Sequence, residues 1–278
     1  MNAPAPDNPP RFDVEDGIGY IRLDDPPRFN SLSPAAFARL REIFAEIHER
    51  AHKDIRAVVL TGTGRAFCAG AELSSMFAMG DAAASSGESE SVGRRIARWT
   101  RDEGTPAVME WNNLPVPLVV AVNGVTAGIG MSLALSGDIV LAARSATFTV
   151  PFMTVLGIVP DGGLTWQLPR LVGQARSMGL SLLGERLKAE EAERWGLIWR
   201  CVDDDALEQT ARELALRLAA LPRYATDEIR RVFRASSRND FRGQYDLELE
   251  RNTKLLDGPD FQEGLSAFLQ KRPPRFQH

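Results

Sequence analysis

The stretch "HERAH", from His48 to His52, has the residues and the spacing of a zinc site. In the pattern HExxH, two helical histidines hold the metal and the glutamate activates the attacking water, which is metalloprotease chemistry. Zinc needs a third protein ligand, and the other histidine of the chain is its last residue, His278. A distant glutamate could serve, but no pattern singles one out.

The helix that carries "HERAH" favours a plainer interpretation. Its apolar residues recur at helical spacing and form one stripe, which leaves both histidines beside the polar face. The stripe consists of Phe37, Leu40, Phe44, Ile47 and Ala51. We therefore predict a charged helix face here and no metal site.

Two glycine-containing turns follow apolar runs and offer a different chemistry. They are "GTGRAFCAGAEL" at residues 62–73 and "AVNGVTAGIGMSLALSGD" at residues 121–138. Each turn presents backbone NH groups where the chain leaves a strand, and two such groups aimed at one point form an oxyanion hole. Strand–glycine–helix turns are also common packing devices. Neither turn matches a phosphate-binding loop or a GxSxG nucleophile elbow.

Composition places the chain among ordinary globular proteins and excludes several classes of partner. Of 278 residues, 44% are hydrophobic and 25% are charged, and the formal net charge is −4. There is no basic run that would indicate nucleic-acid or membrane-surface binding. Cys68 and Cys201 show no CxxC spacing, so we expect reduced thiols and a cytoplasmic location.

The order of elements predicts an α/β fold with a helical end. Short apolar runs alternate with amphipathic helices up to residue 202, so we expect a core domain at residues 11–202. One early helix begins after Ser33 with Pro34 in its first position. The pattern from residue 203 to residue 278 is helical throughout. Residues 1–10 are proline-rich and predict a disordered tail, and "MGDAAASSGESESVG" predicts a mobile loop.

Several motifs taken together resemble the crotonase superfamily, the enoyl-CoA hydratase/isomerase family. They are "GRAFCAGAEL", "PLVVAVNGVTAGIGMSLALSGDIVLAARSATF", "LGIVPDGGLTWQLPRLVG" and "AEEAERWGLIWRCV". The resemblance implies a crotonase-like spiral of ββα units with a helical C-terminal trimerisation region. It also implies a homotrimer or a dimer of trimers that acts on an acyl-CoA substrate, with no cofactor apart from the CoA carried by that substrate.

The resemblance also assigns residues to the site. The oxyanion hole would consist of the backbone NH groups of Ala71 and Ile129, where many relatives have glycine in place of Ile129. Any residue except proline supplies that NH, so the departure keeps the donor. The segments expected along the substrate and its CoA contain Arg28, Asn30, Ala69, Gly70, Leu73, Gly128 and Gly130. Met76 and Phe77 are expected beside Leu73 in the acyl pocket.

The acid and base of hydration are missing from the positions where the resemblance places them. Hydratases of this family hold water with two glutamates. The first position is Ser132 in this chain, and the second falls on Phe152 or Met153, depending on the register. Because neither position is acidic, we do not expect ordinary hydratase activity.

Asp161, in "IVPDGG", is the carboxylate that the resemblance favours as the catalytic base. In the isomerase branch an acid here carries a proton between two carbons. Apolar neighbours, Ile158 and Val159, could raise its pKa. Alternatively, Asp161 caps a helix that begins at Gly162 or Gly163.

Three functions stay open at this stage, and an isomerase is the preferred one. The others are a hydratase with an unrecognised base and a noncatalytic CoA-binding protein. The run "VGQARSMGLSLLGERLKAEEAERWGLIWRCVDDD" most resembles the branch that isomerises the epoxidised ring of phenylacetyl-CoA.

Overall fold

The computed structural model describes residues 8–74 and 91–276. The predicted tail lies outside these residues up to residue 7, and Pro10, at its end, is buried. Most of the predicted mobile loop, together with Met76 and Phe77, also lies outside them. In the described parts of the chain, no helix is both long enough and apolar enough to cross a bilayer.

The strands form two sheets. Their bounds are β1 Arg11–Glu15, β2 Ile18–Leu23, β3 Ala57–Gly62, β4 Ala66–Cys68, β5 Leu118–Val122, β6 Val125–Ala127, β7 Ile139–Ala143, β8 Thr147–Thr149, β9 Leu187–Lys188 and β10 Arg200–Val202. The larger sheet has the order β1-β2-β3-β5-β7-β10, and the smaller one has the order β4-β6-β8-β9. The central strands of the larger sheet are parallel and almost continuously apolar, because helices and the second sheet cover both faces.

The helices fill the connections and the C-terminal end. Their bounds are α1 Pro34–Arg50, α2 Val92–Trp99, α3 Thr105–Asn112, α4 Ile129–Ala134, α5 Leu164–Leu183, α6 Ala189–Trp195, α7 Leu207–Ala219, α8 Arg223–Ser236, α9 Phe241–Leu256 and α10 Pro259–Leu269. The predicted N-cap of α1 is confirmed, since the Ser33 side chain accepts from the Ala36 NH at 3.1 Å. The helix ends at Arg50, two residues before the predicted His52.

A repeated strand–strand–helix order organises the core. The pairs β3/β4, β5/β6 and β7/β8 each place their first strand in the larger sheet and their second in the smaller sheet. In the smaller sheet, β4, β6 and β8 are parallel neighbours, so the segments that follow them leave from the same edge. These are the segments that carry the predicted site residues.

In the described residues beyond Val202, every regular element is helical. Helix α7 packs across β3, β5 and β7. Helices α8 to α10 leave large apolar side chains uncovered, among them Phe233, Phe241 and Phe268 at 71%, 88% and 79% exposure. The predicted α/β class is confirmed. The boundary at residue 203 and the trimerisation role of these helices stay predictions.

Candidate active site

The two glycine turns meet at the edge of the smaller sheet. Gly70 follows β4 with a φ of +107°, which favours glycine, and Gly128 follows β6. A Cβ atom on Gly70 would lie 3.1 Å from the Ala127 carbonyl oxygen and 3.7 Å from the Ile129 nitrogen. The structure therefore brings together the two backbone segments that the sequence identified separately.

The NH groups of Ala71 and Ile129 are available to a ligand. Leu32 pairs with the residues on both sides of Ala71, because its NH donates to Gly70 at 2.7 Å and its carbonyl accepts from Glu72 at 3.0 Å. Alternate NH groups of an extended strand face opposite sides, so the Ala71 NH faces away from Leu32. Ile129 is the first residue of α4 and needs no acceptor within the helix. No described carbonyl accepts from either NH.

Close packing behind the turns depends on Gly130, the second residue of α4. A Cβ atom there would lie 2.4 Å from the Cys68 carbonyl oxygen and 2.7 Å from its Sγ. We expect Gly130→Ala to destabilise the protein by about 1–3 kcal/mol, since the end of β4 must move. Urea unfolding followed by circular dichroism measures the effect.

Gly179 offers a matched control, because it lies within α5 and no described atom beyond the neighbouring backbone of its own helix stands within 4 Å of a Cβ added there. Gly179→Ala should leave the stability unchanged or raise it by about 0.4–1 kcal/mol. Equal unfolding midpoints for the two variants would show that α4 and β4 are not in tight contact.

The third segment leaves β8 and leads to Asp161. It forms one π-helical turn at Phe152–Leu156, and the Phe152 ring lies 3.7 Å from the point where Gly128 would carry a Cβ atom. Phe152 is buried, whereas Met153 is 42% exposed. Of the two predicted candidates for the second hydratase position, Phe152 is the one beside the glycine turn.

The Asp161 side chain does not cap the helix that follows it. Helix α5 begins after Gly163, which has no side chain to cap it, and only the main-chain oxygen of Asp161 bonds to Leu164, at 3.1 Å. Asp161 is exposed to solvent, yet desolvation by the protein around its carboxyl raises its pKa above that of an ordinary aspartate. No described cation or hydroxyl pairs with this carboxylate.

The pKa of Asp161 is raised, in the direction predicted from its apolar neighbours. Those neighbours, Ile158 and Val159, are themselves 47% and 71% exposed. Their share in the raised pKa stays a prediction.

The Asn30 side chain bonds to the corner where the chain turns from β3 into β4. Its Nδ2 donates to the Thr63 and Ala66 carbonyls at 2.9 and 2.7 Å, and its Oδ1 accepts from the Asp25 NH at 2.8 Å. Asn123 bonds to the same corner: its Oδ1 accepts from the Gly62 NH, and its Nδ2 donates to the Gly64 and Ala66 carbonyls. The Asn30 amide thus stabilises the fold, and any contact of this residue with CoA would involve its backbone.

The other predicted substrate residues surround this corner and the turns. Arg28 is half-buried and pairs with Asp25 at 2.6 Å. The Ala69 NH donates to the Phe29 carbonyl at 3.0 Å, which fixes the start of the first turn. Leu73 is 38% exposed, as an acyl-pocket residue in the absence of substrate would be. Their roles in binding stay predictions.

The "HERAH" histidines do not form a metal site. His52 lies beyond the end of α1 with a φ of +65°, and its Nε2 pairs with Asp227 Oδ2 at 3.2 Å. His48 Nδ1 hydrogen-bonds to the Phe44 carbonyl at 2.8 Å. In residues 8–74 and 91–276, no group of three or more His, Cys, Asp or Glu side chains could hold a metal ion.

Comparison with known proteins decides the family. The sequence model for enoyl-CoA hydratase/isomerase matches residues 13–278. The chain belongs to the enoyl-CoA hydratase/isomerase family. It is 41% identical over 263 residues to 1,2-epoxyphenylacetyl-CoA isomerase of Escherichia coli, covering 95% of this chain and 96% of the relative. It is 42% identical over 266 residues to a probable enoyl-CoA hydratase of Rhodobacter capsulatus, covering 96% of both.

Solved structures of the family share the fold. An enoyl-CoA hydratase of Polaromonas superposes with a TM-score of 0.85 at 28% identity, covering 97% of this chain and all of that one. The predicted crotonase-like fold with C-terminal helices is therefore confirmed. The two curated relatives have nearly equal identity but different activities in their names, so identity alone does not choose between isomerisation and hydration.

Proposed function

We propose that this family member is an acyl-CoA isomerase that uses Asp161 as its single base. The substrate would be an enoyl-CoA or an arylacetyl-CoA whose double bond or ring epoxide is rearranged without addition of water. The observation that carries the proposal is the position of the carboxylate: Asp161 precedes Gly162, whose Cβ position lies 3.0 Å from Ile129 Cγ1, and no described cation pairs with the carboxylate. Its raised pKa agrees with this role. Support also comes from Ser132 and Phe152, which leave hydration without its two acids.

The two backbone NH donors would stabilise the enolate that forms from the thioester. Removal of a proton from a carbon conjugated with a thioester moves negative charge onto the thioester oxygen. The NH groups of Ala71 and Ile129 would hold that oxygen, and each preorganised donor is worth about 3–4 kcal/mol at such a position. The CoA portion, bound away from the reacting carbon, supplies binding energy that orients the acyl group.

Asp161 would carry the proton through the reaction. The carboxylate takes a proton from one carbon of the bound substrate and becomes a neutral acid, and the electron pair moves into the dienolate. The same acid then returns the proton to a second carbon, which restores the thioester and the carboxylate. No water enters the product, so substrate and product have the same mass. A raised pKa helps both steps, since the group must accept and release a proton near neutral pH.

A panel of acyl-CoA substrates tests the proposal. We expect a 3-enoyl-CoA to give a 2-enoyl-CoA of unchanged mass, detected by NMR and mass spectrometry, and an aromatic ring-epoxide thioester to rearrange also without a mass change. A product heavier by one water from a 2-enoyl-CoA would identify a hydratase instead. Tight acyl-CoA binding with no deuterium exchange at the α and γ carbons would indicate the noncatalytic alternative.

Assembly and location are part of the same proposal. The apolar side chains left uncovered on α8 to α10 support the expected homotrimer or dimer of trimers, because burial of those side chains would stabilise an assembly. Sedimentation equilibrium would distinguish a trimer, a hexamer and a monomer. The proposal includes a cytoplasmic enzyme with no cofactor beyond substrate CoA.

A further inference from the structure

Ser132 lies where α4 meets the loop that carries Asp161. Its side chain is completely buried. The hydroxyl donates to the main-chain oxygen of Gly162, the residue after Asp161. The main-chain oxygen of Ser132 accepts from Gln167 Nε2 on α5 at 3.4 Å. One residue of α4 is therefore bonded both to the loop and to the helix that follows it.

The packing around this contact leaves little room for movement. Gly162 has a φ of +63°, and a Cβ atom on it would lie 3.0 Å from Ile129 Cγ1 and 3.1 Å from Ser132 Cβ. The backbone beside the base thus contacts the residue that presents the second donor NH. The loop that carries Asp161 therefore packs directly against the start of α4.

We infer that Ser132 is a positioning residue, whose hydrogen bond to Gly162 holds the Asp161 carboxyl in register with the donor NH of Ile129. The inference rests on the proposed function, since it assigns Ser132 a role in that reaction. Within the described ranges no side chain bonds to the Asp161 carboxyl, so we expect the backbone on its C-terminal side to orient it. A displacement of about 1 Å in a reacting group can cost roughly 100-fold in rate.

The position of the loop also affects how far the protein covers the Asp161 carboxyl. Burial raises the pKa of Asp161, opposed only by its own backbone NH, and no charged side chain of the described elements contributes to the shift. A loop released from Ser132 would admit more water and lower that pKa. Measurement of the Asp161 pKa therefore tests whether the loop has moved, without relying on catalytic activity.

Two substitutions of Ser132 test the hydroxyl. Ser132→Ala removes the donor and leaves a slightly smaller side chain, and Ser132→Cys replaces the hydroxyl by a weak donor on a larger sulfur atom. We expect both to lower kcat about 10- to 100-fold with KM changed less than about twofold. Ser136→Ala is the matched control, since the Ser136 hydroxyl donates to the Leu133 carbonyl at 2.6 Å and no described hydrogen bond joins it to the loop. This variant should keep the wild-type kcat.

Carbon-13 NMR of labelled aspartate gives the second readout. The Asp161 signal is assigned by its loss in Asp161→Asn, and its pKa should be lower in Ser132→Ala than in the wild type. A Ser132→Ala protein with a lower melting temperature but wild-type kcat and wild-type Asp161 pKa would show that Ser132 has a structural role only. If Asp161→Asn keeps full turnover, the proposed function fails, and the NMR comparison still shows whether Ser132 positions the loop.

Discussion

Replacement of Asp161 by asparagine should lower kcat for isomerisation by about 10²- to 10⁴-fold. Asparagine has nearly the same shape as aspartate, but its neutral amide cannot accept a proton from carbon. The bound thioester would still meet the NH groups of Ala71 and Ile129, so we expect KM to change little. Steady-state kinetics with a 3-enoyl-CoA, followed by absorbance of the conjugated product, measures both constants.

Asp161→Asn should lower kcat without lowering the stability of the folded protein. Folding raises the pKa of Asp161, so the folded state disfavours the charged form. At any pH above the ordinary aspartate pKa the carboxylate lowers stability, and this cost disappears as the pH falls below the ordinary value. Asp161→Asn should therefore be at least as stable as the wild type at neutral pH. For the same reason, the kcat/KM of the wild type should fall on acidification at a pH above the ordinary aspartate pKa.

An exposed carboxylate away from the site provides the control. Asp205 lies in a short 3-10 turn and is exposed. Asp205→Asn should leave kcat and KM unchanged, and this comparison excludes a general effect of lost charge. If Asp161→Asn stays folded and keeps wild-type turnover, Asp161 is not the base.

Ile129→Pro should lower kcat by about 10²- to 10³-fold while the protein stays folded, because it removes one oxyanion donor. It also removes the side chain that packs beside Gly162, a loss that a second variant, Ile129→Ala, shares. Proline is well tolerated in the first position of a helix, where its NH has no helical acceptor. The residue before it, Gly128, has no Cβ to clash with the proline ring, and its φ of +56° and ψ of −131° lie outside the α region that a following proline disfavours. Circular dichroism and the melting temperature test the fold, and single-turnover kinetics test the chemical step.

Ile129→Ala is the matched variant, since it shortens the side chain and keeps the NH. We expect it to lose far less activity than Ile129→Pro. Binding of an unreactive acyl-CoA should be nearly the same in both variants, because the donor acts mainly on the charge that develops during the reaction. Equal kcat values for the two variants would show that the Ile129 NH is not an oxyanion donor.

Local patterns predicted the parts of this molecule that depend on local chemistry. Ser33 and Pro34 marked the start of α1, the apolar runs marked the strands, and the glycines marked turns that leave strands. The meeting of Gly70 with Gly128 was not available from local pattern, because it depends on the parallel pairing of β4 with β6. It followed only from the resemblance to a known family.

The contacts that hold the site in place gave no sequence signal. Asn30 bonds to a corner more than 30 residues away, and Ser132 bonds to Gly162, 30 residues later. His52 leaves the helix because of a backbone conformation that a periodic pattern does not record. Such bonds depend on the geometry of distant main-chain atoms, which any sequence can offer, so residue type alone does not reveal them.

The use of main-chain NH groups as donors has a consequence for how this site would tolerate mutation. Ala71 and Ile129 should accept many residues in a saturation library and reject proline, whereas Gly70 and Gly130 should accept almost none. The positions most sensitive to substitution would then be the neighbouring glycines rather than the two donor residues. A scan with alanine alone would overlook both donors, one of which is already alanine.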